Sequence, residues 1–234
     1  MVSNVVVALV WRLLCLLTGS LQHVPLYTVK RLHRSDLYGW STFAPHVDID
    51  FNSIVWVRPE GNVVIDPLPM SDHDAAHLLK LGGVAHIVLT NSRHVRDSAA
   101  LAERYSAEIL GPCDERDSFP IPCNRFLSEG DEPFPGLSVL ALSGSKTPGE
   151  LALLLDGDGT TLITGDLVRS HRAGKLQLLR PEQGLSDAKI AAQEVARLAA
   201  ISHLAAVLVG DGFCEFRDAA RSLAELRDAL QQSP

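Results

Sequence analysis

Four short polar clusters stand directly behind apolar stretches of this 234-residue chain. They are Thr90-Asn-Ser-Arg-His-Val-Arg-Asp97, Ser143-Gly-Ser-Lys-Thr-Pro-Gly149, Thr164-Gly-Asp166 and Gly210-Asp-Gly212. One alone reads as a turn. Four, each behind a run that reads as a strand, predict a shared site, because functional groups gather on loops held by a rigid scaffold. The clusters offer three carboxylates (Asp97, Asp166, Asp211), three cations (Arg93, Arg96, Lys146), an amide (Asn91) and an imidazole (His94). Carboxylates and an imidazole can ligate a metal or move a proton. The cations can pair with the carboxylates or receive an anion.

Other chemistries find less support. No Gly-x-Ser-x-Gly elbow occurs, so nothing points to a serine hydrolase. Gly144-Ser-Lys-Thr147 looks like the tail of a P-loop, but Ser145 and Leu140 stand where its two glycines are needed. His73 and His77 lie four apart on a predicted helix and are read as helix residues rather than a zinc pair.

The elements that must position these clusters are legible on either side of them. Ile54-Val-Trp-Val57 and Val63-Val-Ile65 are β-branched runs joined by Pro59-Glu-Gly-Asn62, a turn composition, and predict a hairpin. Ser71 is an N-cap candidate, with Asp72 and Asp74 in the first turn behind it and Gly82-Gly83 as the stop. His86-Ile-Val-Leu-Thr90 reads as a short buried strand, and residues 97–106 as a helix. The second half echoes this pattern. Residues 137–142 and 151–155 read as strands, and Asp156-Gly-Asp-Gly159 as a hairpin turn into Thr161-Leu-Ile-Thr164. A helix over 187–202, the strand Ala206-Val-Leu-Val209 and a helix over 217–230 complete the chain. Hairpins followed by strand–helix units, twice over, predict two packed sheets with helices outside, although the alternation alone also permits a three-layer sandwich.

Composition narrows the class further. With 46% hydrophobic and 21% charged residues, the chain has material for a substantial core and is not a disordered polyelectrolyte. Its net charge of −7 excludes the basic face of a nucleic-acid binder. Cys15, Cys113, Cys123 and Cys214 form no C-x-x-C pair, so reduced thiols are expected rather than a zinc knuckle. The apolar run from Val5 to Leu17 falls short of the roughly 20 residues that span a bilayer and carries Arg12 at its centre. No basic residue precedes it, as one would in a signal peptide, though Thr18-Gly-Ser20 offers a small-residue exit. The reading is an extension over residues 1–30, one domain over 31–234, and a cytoplasmic chain with no membrane role.

In order and spacing the landmarks resemble the metallo-β-lactamase superfamily, whose glyoxalase-II-like hydrolases form an αββα sandwich. Val64-Ile-Asp66-Pro67 is similar to that family's early hairpin strand and its aspartate. Ile87-Val-Leu-Thr90 resembles the strand leading into the His-x-His-x-Asp-His motif. Ser145-Lys-Thr-Pro-Gly149 resembles the Gly-His-Thr-Pro-Gly segment. Ile163-Thr-Gly-Asp166 is similar to the strand bearing the bridging aspartate, and Val209-Gly-Asp211-Gly212 to the strand giving the last histidine. The likeness spans residues 50–215 and implies an α+β fold, a four-layer αββα sandwich.

The ligands themselves depart from the family's pattern. Placed directly behind Thr90, the motif puts Asn91 and Arg93 at the His-x-His positions and Val95 and Arg96 at Asp-His. A shifted register puts His94 at the second histidine and Asp97 at the last, with Ser92 and Arg96 at the others. Lys146 stands at the third histidine and Asp211 at the fourth, so only Asp166 keeps its identity, and the resemblance implies Asp166 and His94 as the catalytic candidates. Neither register supplies the neutral imidazoles of a dinuclear zinc site. Without the metal, Asp166 beside Asp211 should repel, pushing one toward protonation, while Lys146 with Arg93 or Arg96 restores positive charge. No cofactor is expected on this reading, and the vacated cleft, with Asn91, Arg93, His94 and Arg96, would receive an anionic small molecule. The alternative is an ester or thioester hydrolase holding one zinc, iron or manganese ion on His94, Asp166 and Asp211. A third reading is an interaction protein acting through its apolar amino-terminal run and terminal helix.

Overall fold

Side chains on a strand alternate between its two faces, and the apolar runs here are apolar on both, so each sheet needs two covers. Ile54, Trp56, Val63, Ile65 and Val88 pack into one buried cluster, while Val55, Val64, Ile87 and Leu89 pack into another. The same split runs through the second half. There Leu151, Leu153, Ile163 and Leu208 join the first cluster, and Ala152, Leu162, Val207 and Val209 belong to a third.

The computed structural model describes residues 29–232. Seven strands form the first sheet in chain order: β1 (Lys30–Arg31), β2 (Leu37–Ala44), β3 (Ile49–Trp56), β4 (Val63–Ile65), β5 (His86–Val88), β6 (Glu108–Pro112) and β7 (Arg125–Leu127). Pairing is antiparallel from β1 to β4 and parallel from β4 to β7. The helices α1 (Asp72–Lys80) and α2 (Ser98–Tyr105) connect the parallel strands. Their buried Leu78 and Leu101 sit in the outer cluster with Val64 and Ile87.

The second sheet has the order β13-β10-β9-β8, from β8 (Leu137–Leu142), β9 (Glu150–Leu155), β10 (Thr160–Thr164) and β13 (Leu204–Val209). A separate hairpin, β11 (Val168–Arg172) and β12 (Lys175–Leu178), follows β10. Helices α3 (Ala188–Ala199) and α4 (Ala219–Gln232) supply Val195, Leu198 and Leu223 to the other outer cluster. Helix, sheet, sheet, helix is the expected four-layer arrangement.

This topology brings the polar clusters to one end of the sandwich. Parallel pairing sets Ile65 beside Val88 and Thr164 beside Val209, so the chain leaves both pairs of strands on the same side. Asp66 and Thr90 thereby become neighbours, as do Asp166 and Asp211. Backbone bonds then join the two sheets at that end: Leu151 N to Thr90 O (2.7 Å), Asn52 N to Gly210 O (2.8 Å) and Gly212 N to Asp50 O (2.7 Å).

Several boundaries differ from the sequence reading. The fold takes in Val29 and Lys30, which that reading assigned to the extension. Val29 is buried in the outer cluster, and its N–H donates to Asp74 Oδ1 at 3.0 Å. The stretch Asp36–Trp40 leads into and begins β2, and β3 extends back to Ile49; Ser41 and Thr42 in β2 and Asp50, Asn52 and Ser53 in β3 broke the apolar signal. Among the described residues Cys113, Cys123 and Cys214 are free thiols, and no helix is long and apolar enough to cross a membrane. The readings made on Val5–Leu17 and Cys15 lie outside the described residues.

Candidate functional site

Asp66 leaves β4 with φ +50°, in the left-handed region that an aspartate tolerates better than most side chains. Its carboxylate accepts from Thr90 N (2.8 Å), from the Thr90 hydroxyl (2.6 Å) and from His94 Nδ1 (2.7 Å). These bonds fix the His94 ring, and its Nε2 then faces Asp166 Oδ2 at 3.7 Å and Asp211 Oδ1 at 3.9 Å. The imidazole is buried among carboxylates. Burial and nearby Arg96 both push its pKa down, but Asp66 and Asp166 outweigh them, and the net shift is upward.

Each of the two facing carboxylates has its own cation. Lys146 Nζ lies 2.7 Å from Asp166 Oδ1, and Asn91 Nδ2 donates to Asp166 Oδ2 at 3.3 Å. Arg169 Nη2 lies 2.6 Å from Asp211 Oδ2, and Arg96 Nη2 lies 3.4 Å from Asp211 Oδ1. Arg96, itself at φ +43°, also donates from Nη1 to the carbonyls of Asn52 (2.6 Å) and Asp66 (3.0 Å). Burial raises the Asp166 pKa, yet His94, Lys146 and Arg169 overcome that, and it ends below the ordinary carboxylate value.

One more acid sits behind this layer. Glu150, at the start of β9, is fully buried; it accepts from the Ser145 hydroxyl and from Leu167 N at 2.9 and 3.2 Å. Desolvation, then repulsion from Asp166, pushes its pKa up to about 8, so it is mostly protonated at neutral pH. The expectation that Asp166 or Asp211 would be driven toward protonation is therefore corrected for Asp166, because the cations hold it ionised. Glu150, which has no cation of its own, is the acid whose pKa is raised.

Close approach at the site depends on two glycines. A Cβ on Gly210 would stand 2.8 Å from His94 Cε1, and one on Gly165 would stand 2.7 Å from the Thr90 hydroxyl oxygen. Either side chain would force the imidazole or the threonine out of place.

The sequence candidates divide accordingly. Asn91, His94, Arg96, Lys146, Asp166 and Asp211 come together. Arg93 does not join them: its side chain is exposed, and only its backbone N–H is engaged, donating to Asn91 Oδ1 at 2.8 Å. The cause is local geometry. Ser92–His94 is a turn of 3-10 helix capped by Asn91, and its period of three aligns Asn91 with His94 where strand alternation would have aligned Asn91 with Arg93. The sequence reading missed Arg169, Glu150 and the orienting role of Asp66. A charged residue beside apolar neighbours in Leu167-Val168-Arg169 and in Glu150-Leu151 was the available signal.

His94, Asp166 and Asp211 each offer a ligand atom within 4.8 Å of the others. That spacing admits one ion on geometric grounds. The donor chemistry argues otherwise, since the same carboxylates already hold an ammonium and two guanidinium groups, and a divalent ion would add to that positive charge. Among the described residues no second ligand set lies beside it: Asn91 and Lys146 carry neither imidazole nor carboxylate, and Arg96 is cationic at any physiological pH.

Comparison with known proteins agrees with the topology. A family model described as metallo-beta-lactamase superfamily matches residues 29–230. Among solved structures, a metallo-beta-lactamase from Pontibacter korlensis superposes with a TM-score of 0.70 at 15% identity, covering 88% of this chain and 100% of that one. A metallo beta lactamase from Erythrobacter litoralis with beta mercaptoethanol in its active site gives 0.68 at 15% identity, covering 87% and 96%. The metallo-beta-lactamase FIM-1 from Pseudomonas aeruginosa in its mono-zinc form gives 0.64 at 13% identity, covering 88% and 97%. At such identities these likenesses speak for the fold alone.

Proposed function

The chain belongs to the metallo-β-lactamase superfamily, and we propose that it is a divergent member whose side-chain cations replace the metal centre and whose site receives an anionic small molecule. The observation that carries this reading is the Lys146 ammonium 2.7 Å from Asp166, at the sequence position of the family's third histidine. Charge balance supports it. Lys146, Arg96 and Arg169 equal in number the carboxylates of Asp66, Asp166 and Asp211, and the raised pKa values of His94 and Glu150 tip the balance toward positive charge on a chain of net charge −7.

Roles follow from position. Asp66 and Thr90 orient His94; Arg96 and Arg169 neutralise Asp211; Lys146, with 26% of its side chain exposed, is the cation an anion meets. Isothermal titration of the full-length chain with inorganic phosphate and citrate tests the reading. Saturable binding, weakened by Lys146→Met, is the expected result, and silence with both anions contradicts it.

The second reading, an ester or thioester hydrolase with one residual ion, is favoured by the convergence of His94, Asp166 and Asp211. Elemental analysis separates the two readings, since this one requires a stoichiometric zinc, iron or manganese ion.

A further inference from the structure

Between the β11–β12 hairpin and helix α4 runs a groove of about 600 Å³, open to solvent. Leu176 and Leu178 come from the hairpin, Leu185 from the loop ahead of α3, and Leu226 and Leu230 from α4. Leu178, Leu185 and Leu230 are only partly buried against the core, so they leave apolar surface facing outward. On α4 the buried face continues through Ser222 and Leu226 to an exposed Ala229, where a large apolar residue would have filled the space. Small residues therefore keep the groove open, and a concavity of this size lined by apolar side chains is typical of small-ligand sites.

The rim is charged. Lys175 and Arg180 stand on it opposite Glu225. Glu225 has Arg221 Nε 3.9 Å away, and the Arg180 guanidinium pairs with the exposed Glu182 at 3.1 Å and donates from Nε to Gln183 Oε1 at 3.3 Å, exposed contacts of the kind that exchange readily.

We propose that this groove binds a single-chain amphipathic carboxylate, its alkyl tail laid along Leu176, Leu178 and Leu226 and its head held by Lys175 and Arg180. Apolar walls without a cationic rim would suit any hydrophobe, and the cations without the walls would suit any anion. Their combination selects a molecule that has both parts.

Titration calorimetry of the full-length chain with decanoate, decyltrimethylammonium and butyrate, each below its aggregation concentration, tests this. Decanoate should saturate one site, at least about tenfold tighter than the cationic analogue, with butyrate silent. Ala229→Trp, at an exposed position that should not disturb folding, fills the groove and should weaken decanoate about tenfold or more. The pair Lys175→Glu and Arg180→Glu should reverse the preference between the two decyl compounds. Equal binding of both decyl compounds, decanoate affinity indifferent to Ala229→Trp, or no binding at all would overturn the proposal. So would self-association of the chain that Ala229→Trp abolishes, because a second copy would then occupy the groove.

Discussion

At Asp166 the contest between burial and charge can be followed one partner at a time. Desolvation favours the neutral acid, and the His94 ring, the Lys146 ammonium and the more distant Arg169 reverse that preference. Removing one of them leaves a buried carboxylate short of charge. Lys146→Met is therefore expected to cost about 2–4 kcal/mol in urea unfolding, toward the lower end because the ammonium is partly solvated. Lys146→Met combined with Asp166→Asn should recover much of that loss, and an additive double variant would show the pair is not coupled. Titration gives a second expectation. Folding raises the His94 pKa above 6.5 and that of Glu150 from 4.5 to about 8, so both stabilise at low pH and lose that contribution as pH climbs through their folded values. Asp166, lowered from 3.8, loses its contribution only in acid. The melting temperature should fall between pH 5 and pH 8.5, and Glu150→Gln should flatten the slope; a rise across that window contradicts the assignment. The Lys146–Asp166 pair was legible in the sequence because each residue sits alone in a short motif. Arg93 was misplaced because nothing in its identity says that the chain turns as 3-10 helix at Ser92.

The elements deliver these residues through register. Parallel pairing of β4 with β5 and of β10 with β13 sets Asp66 beside the Thr90 cluster and Asp166 beside Asp211, and the β8–β9 connection brings Lys146; a shared site was legible because each polar cluster follows an apolar run. The β2–β3 hairpin was only half visible, since Ser41, Asp50 and Asn52 interrupt its apolar pattern. One of those interruptions is structural. Asn52 Nδ2 donates to the carbonyls of Val209 (2.8 Å) and Gly212 (2.7 Å), tying the first sheet to the loop that carries Asp211. Asn52→Ala leaves buried carbonyls unpaired and should cost about 2–3 kcal/mol, read as a lower urea midpoint at unchanged m-value. Gly210→Ala acts on the same loop from the other side, because its methyl group would meet His94 Cε1. A loss of about 1–3 kcal/mol is expected, with a displaced His94 imidazole resonance as the specific readout. A resonance at its parental position would mean that the loop, rather than the ring, had given way.

For the molecule as a whole, order along the chain carried more information than any single motif. Five landmarks in sequence were enough to anticipate two sheets between two pairs of helices, because those landmarks are strand ends that the topology must gather. The site's chemistry was harder to read: Arg169 reaches Asp211 from a separate hairpin and Glu150 reaches Leu167 from a neighbouring strand, and no spacing along the chain announces such contacts. The central claim is that an inherited metal centre now holds itself together with its own cations. The direct test is the metal content of full-length chain purified without chelator from zinc-supplemented culture, paired with its melting temperature in chelator and in added zinc. Metal well below one ion per chain, with the same melting temperature in all conditions, is the predicted result. A stoichiometric zinc, iron or manganese ion that is lost on Asp211→Asn, with a lower melting temperature in chelator, would contradict it.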